Sequence, residues 1–250
     1  MKLFTVLALG SLAVSNAVSA QEAPTDDNKV WQTSAELGAI TTSGNTVGTS
    51  ITGKIDARQE LESWSNQYIF SAFFKQDEKT DADGNTINER SAERYLISAK
   101  GAYKLATEHD NLFIIGSHTS DKFGAFEKYN TLAVGYGTRL YDAETRHLDV
   151  EIGPGYVSGT RATGESESGF IVRGAAAYNW QISESAAFSQ TLSVEYGDDN
   201  TRTIAETALT AKINGAMQMK AAFLVQNDSD VQPDKENTDT QTSLTLVYSF

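Results

Sequence analysis

The last eight residues, Ser243 to Phe250, alternate in character along the chain. Leu244, Leu246, Tyr248 and Phe250 fall on one face, and Ser243, Thr245, Val247 and Ser249 on the other. A β-strand sends successive side chains to opposite faces, so this pattern suits a wall with lipid on one side and water on the other. A soluble sheet edge can read the same way over so few residues, and the rest of the chain has to decide. Similar segments recur near 31–42, 46–60, 64–76, 92–105, 110–120, 128–141, 147–158, 168–182, 185–197, 201–213, 216–227 and 239–250. Twelve strands are thus expected. Their apolar faces include Trp64, Tyr68, Phe70 and Phe74 in the third, Phe170, Val172, Tyr178 and Trp180 in the eighth, and Met219, Phe223 and Val225 in the eleventh. Aromatic residues gather near segment ends, where interfacial girdles belong.

The other end of the chain carries an address. Lys2 precedes an apolar run from Leu3 to Val14, and Val18-Ser19-Ala20 places small residues where a signal peptidase reads, with a second possible cut after Ala17. Residues 1–20 are therefore expected to be a signal peptide, 21–29 a short periplasmic segment and 30–250 one barrel. No later window offers the roughly 20 consecutive apolar residues of a membrane helix, which leaves a closed barrel as the membrane architecture. The mean hydropathy of -0.36 agrees, since half of each barrel strand faces water. A soluble β-sandwich is the competing fold. Removing residues 1–20 takes away Lys2 and no acid, which moves the net charge from -13 to -14 and argues against a nucleic-acid partner.

Barrels of this type pair short periplasmic turns with longer external loops. Tight turns are expected around Leu61-Glu62-Ser63, Thr107-Glu108-His109, Ala143-Glu144-Thr145, Ser183-Glu184 and Asn214-Gly215. The alternate set holds the long polar stretches Asp77 to Ser91, Gly159 to Glu167 and Asp228 to Thr238, and two short members at Ser43-Gly44-Asn45 and Gly197 to Asn200. A count of ten or fourteen strands would enter at those short connections.

The face opposite the lipid is crowded with charge. Continuing the alternation turns the acids Glu36, Asp56, Asp149, Glu151, Glu195 and Glu206 inward. It turns the bases Lys54, Arg58, Lys75, Arg94 and Lys100 the same way, followed by Lys104, Arg139, Arg173, Lys212 and Lys220. Bases outnumber acids, so a basic lumen is expected. Either paired charges brace a closed wall, or a narrow path passes small solutes with modest anion preference.

Several motifs carry a resemblance: Ala35 to Ala39 followed by Thr42 to Thr46, Glu151 to Tyr156 with its central Gly-Pro-Gly, Leu192 to Thr201, and Thr238 to Phe250. Together they resemble the salt-induced outer-membrane protein family, a barrel domain of unknown function, over nearly the whole mature chain. The resemblance implies an outer-membrane barrel connected with salt or osmotic conditions and lends no catalytic residue. Membrane lipids, lipopolysaccharide and the barrel-assembly machinery are the expected partners, the last engaged through Tyr248 and Phe250 of the terminal strand.

One constellation points to chemistry. His118 and Ser120 share a strand face and Asn130 lies on the adjacent segment, the residue types of an acyl-transfer site. The trio resembles the outer-membrane phospholipase, also a twelve-stranded barrel. A polar rim at the membrane interface accounts for the same residues, and the chain is expected to be a non-enzyme without cofactor. Asp81 to Asn85 lacks the continuing ligands of a calcium loop, and His109, His118 and His147 show no metal spacing.

Overall fold

Backbone N–H and C=O groups find no partner in hydrocarbon, so a sheet placed there has to close on itself. In the computed structural model, which describes residues 30–42, 48–80, 85–107, 109–233 and 235–250, the sheet does close. The strands are β1 (Trp31–Thr42), β2 (Gly48–Glu60), β3 (Trp64–Thr80), β4 (Thr86–Lys104), β5 (Asn111–Asp121) and β6 (Lys128–Ala143). They continue as β7 (Arg146–Thr160), β8 (Ser166–Ser183), β9 (Ala186–Gly197), β10 (Thr201–Lys212), β11 (Met217–Asp228) and β12 (Thr238–Ser249). Each pairs antiparallel with its sequence neighbours, and β1 closes on β12. The expected twelve-stranded antiparallel barrel is the fold. The segments expected at 1–20 and 21–29 lie outside the described residues, as do Ser43-Gly44-Asn45, Asp81 to Gly84 and Glu108.

One expectation is overturned. Asp77 to Ser91 was expected as a loop, yet pairing runs on from Gln76↔Arg90 to Thr80↔Thr86. A register shift between Lys75 and Gln76 explains the difference, because an extra residue breaks the alternation by which a strand is recognised. Lys79 and Glu89 form an ion pair of 2.7 Å beyond the shift. The β7–β8 hairpin likewise extends into the stretch expected as a loop, to Thr160 and from Ser166.

The usual distribution of polarity is inverted. Outward residues such as Phe170, Leu37, Ile152 and Tyr196 are exposed, whereas inward Arg173, Glu151 and Asp56 are buried. Such an exterior is stable only where the surrounding solvent is itself apolar. Ile69 and Phe73 of β3, Leu96 and Ala102 of β4, Phe113 and Ile115 of β5 and Ala133 of β6 form a buried apolar wall. Charged side chains stand among these and on the remaining strands, with Asp56 paired to Ile69 and Lys100 to Ile115.

The Gly-Pro-Gly motif explains a close approach behind that wall. Pro154 has no N–H to give to the ladder, and the pairing of β6 with β7 passes from Ala133↔Gly155 to Tyr136↔Ile152. A Cβ on Gly153 would lie 1.9 Å from the Val134 carbonyl oxygen, and one on Gly135 would lie 2.3 Å from that of Ile152 and 2.8 Å from Phe113 Cε1. The two glycines thus let the strands meet and give Phe113 its seat. Closure at β1–β12 is shorter than the other seams. It pairs Ser34 to Leu37 with Ser249 to Leu246, extended by reciprocal Thr33 and Phe250 backbone bonds of 3.2 and 2.9 Å. Replacing Gly153 by Ala forces backbone apart and is expected to cost about 3 kcal/mol, at the upper end of ordinary overpacking. The urea midpoint of the refolded barrel in detergent measures it, and an unchanged midpoint would contradict the close packing.

Candidate functional site in the barrel interior

Toward the end of the barrel where β1 begins and β12 ends, alternation sets Glu36 beside Lys54 across the β1–β2 pair. Lys54 Nζ stands 3.9 Å from both Glu36 and Asp56, and Arg58 Nε stands 3.4 Å from Asp56. Gln67 Nε2 donates to both Asp56 oxygens at 3.1 and 3.0 Å. Lys220 reaches across β12 to Glu36 at 3.6 Å and meets Glu206 of β10 at 3.0 Å. Arg58, Asp56, Lys54, Glu36, Lys220 and Glu206 therefore form one chain of alternating sign along the inner wall. Arg139 of β6 binds Asp149 of β7 at 2.7 Å in a separate pair.

At mid-height the bracing crosses the lumen. Lys100 of β4 binds Glu151 of β7, whose second oxygen accepts from Arg173 Nη1 of β8 at 3.3 Å. Lys100 and Arg173 both lie over the Phe113 ring, at 5.4 and 6.0 Å from its centroid. Arg173 is 0% exposed, so its charge depends on Glu151 and the aromatic face.

Towards the other end a second crossing closes the interior. Arg94 Nε of β4 stands 3.2 Å from Asp121, and its Nη2 donates to Gln226 of β11 at 2.8 Å. Arg202 Nε pairs with Asp228 at 2.7 Å, and the guanidinium lies 3.6 Å from the Tyr129 ring centroid. Tyr129 Oη donates to Glu195 of β9 at 3.1 Å, and Thr131 does so at 3.3 Å. Phe126, from the β5–β6 connection, sits near the guanidinium groups of Arg161 and Arg202, at 4.8 and 5.3 Å. Arg161 also binds Glu167 and Asp230. The Glu167 hydrogen bond holds this guanidinium above its ordinary pKa.

Asp121, Arg202 and Asp228 were missing from the inward set read from sequence. All three lie at strand ends, and one further step of the same alternation reaches them. Asp228, assigned to an acidic loop, is instead buried against Arg202. Lys104 and Lys212 occupy the last positions of β4 and β10 and are exposed at the rim, Lys104 binding the Leu61 carbonyl oxygen at 2.8 Å. Lys75 pairs with Asp77 at 3.0 Å. With these changes the interior acids and bases come close to balance, which corrects the expectation of a basic lumen.

On the outer wall, His118 Nδ1 and Asn130 Oδ1 are 2.7 Å apart, and Asn130 Nδ2 donates to the Ser158 carbonyl oxygen at 3.2 Å. No hydrogen bond joins His118 to Ser120, so the base-to-nucleophile contact of an acyl-transfer site is not formed. Among the described residues no group of three His, Asp or Glu is placed to hold a metal ion.

Residues 35–250 match the family described as Protein of unknown function, DUF481. The chain belongs to the DUF481 family. It is 26% identical over 243 residues to the uncharacterized protein YdiY of Escherichia coli strain K12, covering 97% of this chain and 92% of that one. Among solved structures it is similar to the NanC porin, with TM-score 0.51 and 10% identity over 87% of this chain and 98% of that one. It is also similar to the translocator domain of the autotransporter NalP from Neisseria meningitidis, with TM-score 0.49, 14% identity and 90% of each chain covered. The likeness to the NanC porin concerns the fold alone. The DUF481 description names no activity, and the salt association implied by the sequence resemblance gains no support from it.

The interior network has a direct consequence for stability. Glu151→Ala leaves the buried Arg173 and the half-buried Lys100 without their shared carboxylate and is expected to cost about 3–5 kcal/mol. Glu89→Ala, which removes an exposed ion pair, should cost less than about 1 kcal/mol. Urea titrations of both variants compare the two, and equal losses would mean that the crossing does not brace the barrel.

Proposed function

We propose that this DUF481 chain is an outer-membrane β-barrel of the cell envelope, exported by the signal peptide 1–20, with a braced interior that is closed at rest. The apolar exterior and its aromatic pairs support the membrane setting, among them Trp64 with Tyr103 and Tyr156 with Phe170, each 5.4 Å apart. The observation that carries the closed interior is the contact of Arg94 on β4 with Gln226 on β11 at 2.8 Å, between strands that are not neighbours in the sheet. Glu36, Lys54, Asp56, Arg58, Lys100, Arg139, Glu151, Arg173, Glu195 and Lys220 act as its internal supports, and Lys212 sits at the rim. Passage of small solutes would require the Arg94 and Arg202 layer to move aside.

Planar-bilayer recording tests this directly. The folded wild-type barrel should show no steady conductance, and the Arg94→Ala, Arg202→Ala double variant should show discrete steps. Steady ion-selective steps from the wild type would overturn the closed interior.

The terminal strand carries a second role in this reading, as the segment through which the assembly machinery inserts the barrel. Phe250 pairs with Thr33 at the closing seam, and its ring lies 5.8 Å from that of Tyr248. Phe250→Ser should therefore lower the yield of heat-modifiable barrel in cells severalfold. An undiminished yield would remove the residue from this role.

A further inference from the structure

The His118, Ser120 and Asn130 group is one corner of a larger outward patch on β4, β5 and β6. Outward side chains here are apolar at Ile97, Ile114, Leu132 and Val134, all exposed. Their character then changes row by row toward the loop end. Ile97, His118 and Asn130 are cross-strand neighbours, and the next row is Tyr95, Ser120 and Lys128. One row further, the Lys122 N–H donates to the Glu93 carbonyl oxygen at 3.2 Å, which continues the same ladder.

Positive charge is concentrated in these upper rows. Lys122 Nζ and Arg90 Nη1 share the single carboxylate of Glu93, at 2.7 and 2.5 Å. Lys128 is exposed and forms no ion pair among the described residues. Arg90 also lies over Phe74, 5.5 Å from the ring centroid, and Phe74 meets Tyr95 edge to face at 5.4 Å. Arg90 therefore lies over Phe74 and Lys128 stands in the row of Tyr95, among aromatics of the kind found where headgroups replace acyl chains. This local excess of positive charge occurs in a chain of net charge -13.

We propose that this patch binds the phosphorylated headgroup of an outer-leaflet lipid, whose acyl chains lie along Ile97, Ile114 and Leu132. The proposal rests on the membrane setting argued above. Lys122, Lys128 and Arg90 supply charge-assisted hydrogen bonds to phosphate oxygens, and Ser120 adds a hydroxyl donor. Asn130 Oδ1 accepts from His118 Nδ1–H, which leaves Nε2 of the exposed His118 to meet another partner. In the imidazolium form that nitrogen donates to phosphate as well. The polar trio thus receives a binding role that needs no contact between His118 and Ser120.

Native mass spectrometry of the full mature barrel in detergent tests the proposal, with bisphosphorylated lipid A and its phosphate-free counterpart as probes. The phosphorylated lipid should bind about tenfold or more tightly, and Lys122→Gln with Lys128→Gln should remove most of that preference. Lys104→Gln, at the opposite rim, should leave it unchanged. Equal binding of the two lipids, or an unaltered preference in the double variant, would sink the proposal. Displacement by millimolar inorganic phosphate would also overturn it, by showing a site for a free anion rather than a lipid. Heat-modifiable migration and insertion into vesicles are recorded on the same samples. A barrel that inserts without discriminating lipids defeats only the headgroup site, whereas failure to insert defeats the membrane reading itself.

Discussion

A barrel with an apolar outer face leaves its backbone and its inward polar side chains to find partners within the sheet or behind it. For the backbone this requirement is met by closure, with β1 returning to β12. For side chains it leaves a single destination, the interior, and that space is too small for unpaired charges. The alternating run from Arg58 to Glu206 follows from those two conditions. Within the run, Asp56 and Glu36 each stand between two cations and Lys54 and Lys220 each between two carboxylates, so strands are tied by contacts that supplement the backbone ladder.

Pairing along the wall does not by itself close a lumen. Closure comes from side chains that leave their own strand's neighbourhood: Lys100 to Glu151, Tyr129 to Glu195, and Arg94 to Gln226. Long side chains with terminal charges are suited to such spans, and the aromatic faces of Phe113, Phe126 and Tyr129 give the guanidinium groups further contacts without adding charge. Buried apolar side chains from Ile69 to Ala133 occupy interior space beside these contacts. Twelve strands enclose an interior that these side chains are long enough to bridge.

The glycines at 135 and 153 show how local sequence serves this arrangement. They do not mark a turn. They remove side-chain volume where β6 and β7 approach, and Phe113 occupies the space gained, beneath Lys100 and Arg173. The Gly-Pro-Gly motif used to recognise the family is therefore coupled to the mid-height crossing through packing.

Period-two alternation in the sequence determined the strand number, the lipid-facing side of β12 from Leu244 to Phe250 and the closed all-β architecture, because that periodicity is a property of one strand at a time. It was blind where the period itself breaks, as at the shift after Lys75 that hid the extension of β3 and β4. The same alternation pointed to an excess of interior bases, because Asp121, Arg202 and Asp228 stand at segment ends where loop and strand look alike. Which charges meet was decided only by tertiary structure. Arg94 and Gln226 are 132 positions apart in the chain, and no local pattern relates them. Their contact exists because barrel closure brings β4 and β11 to opposite sides of one narrow space.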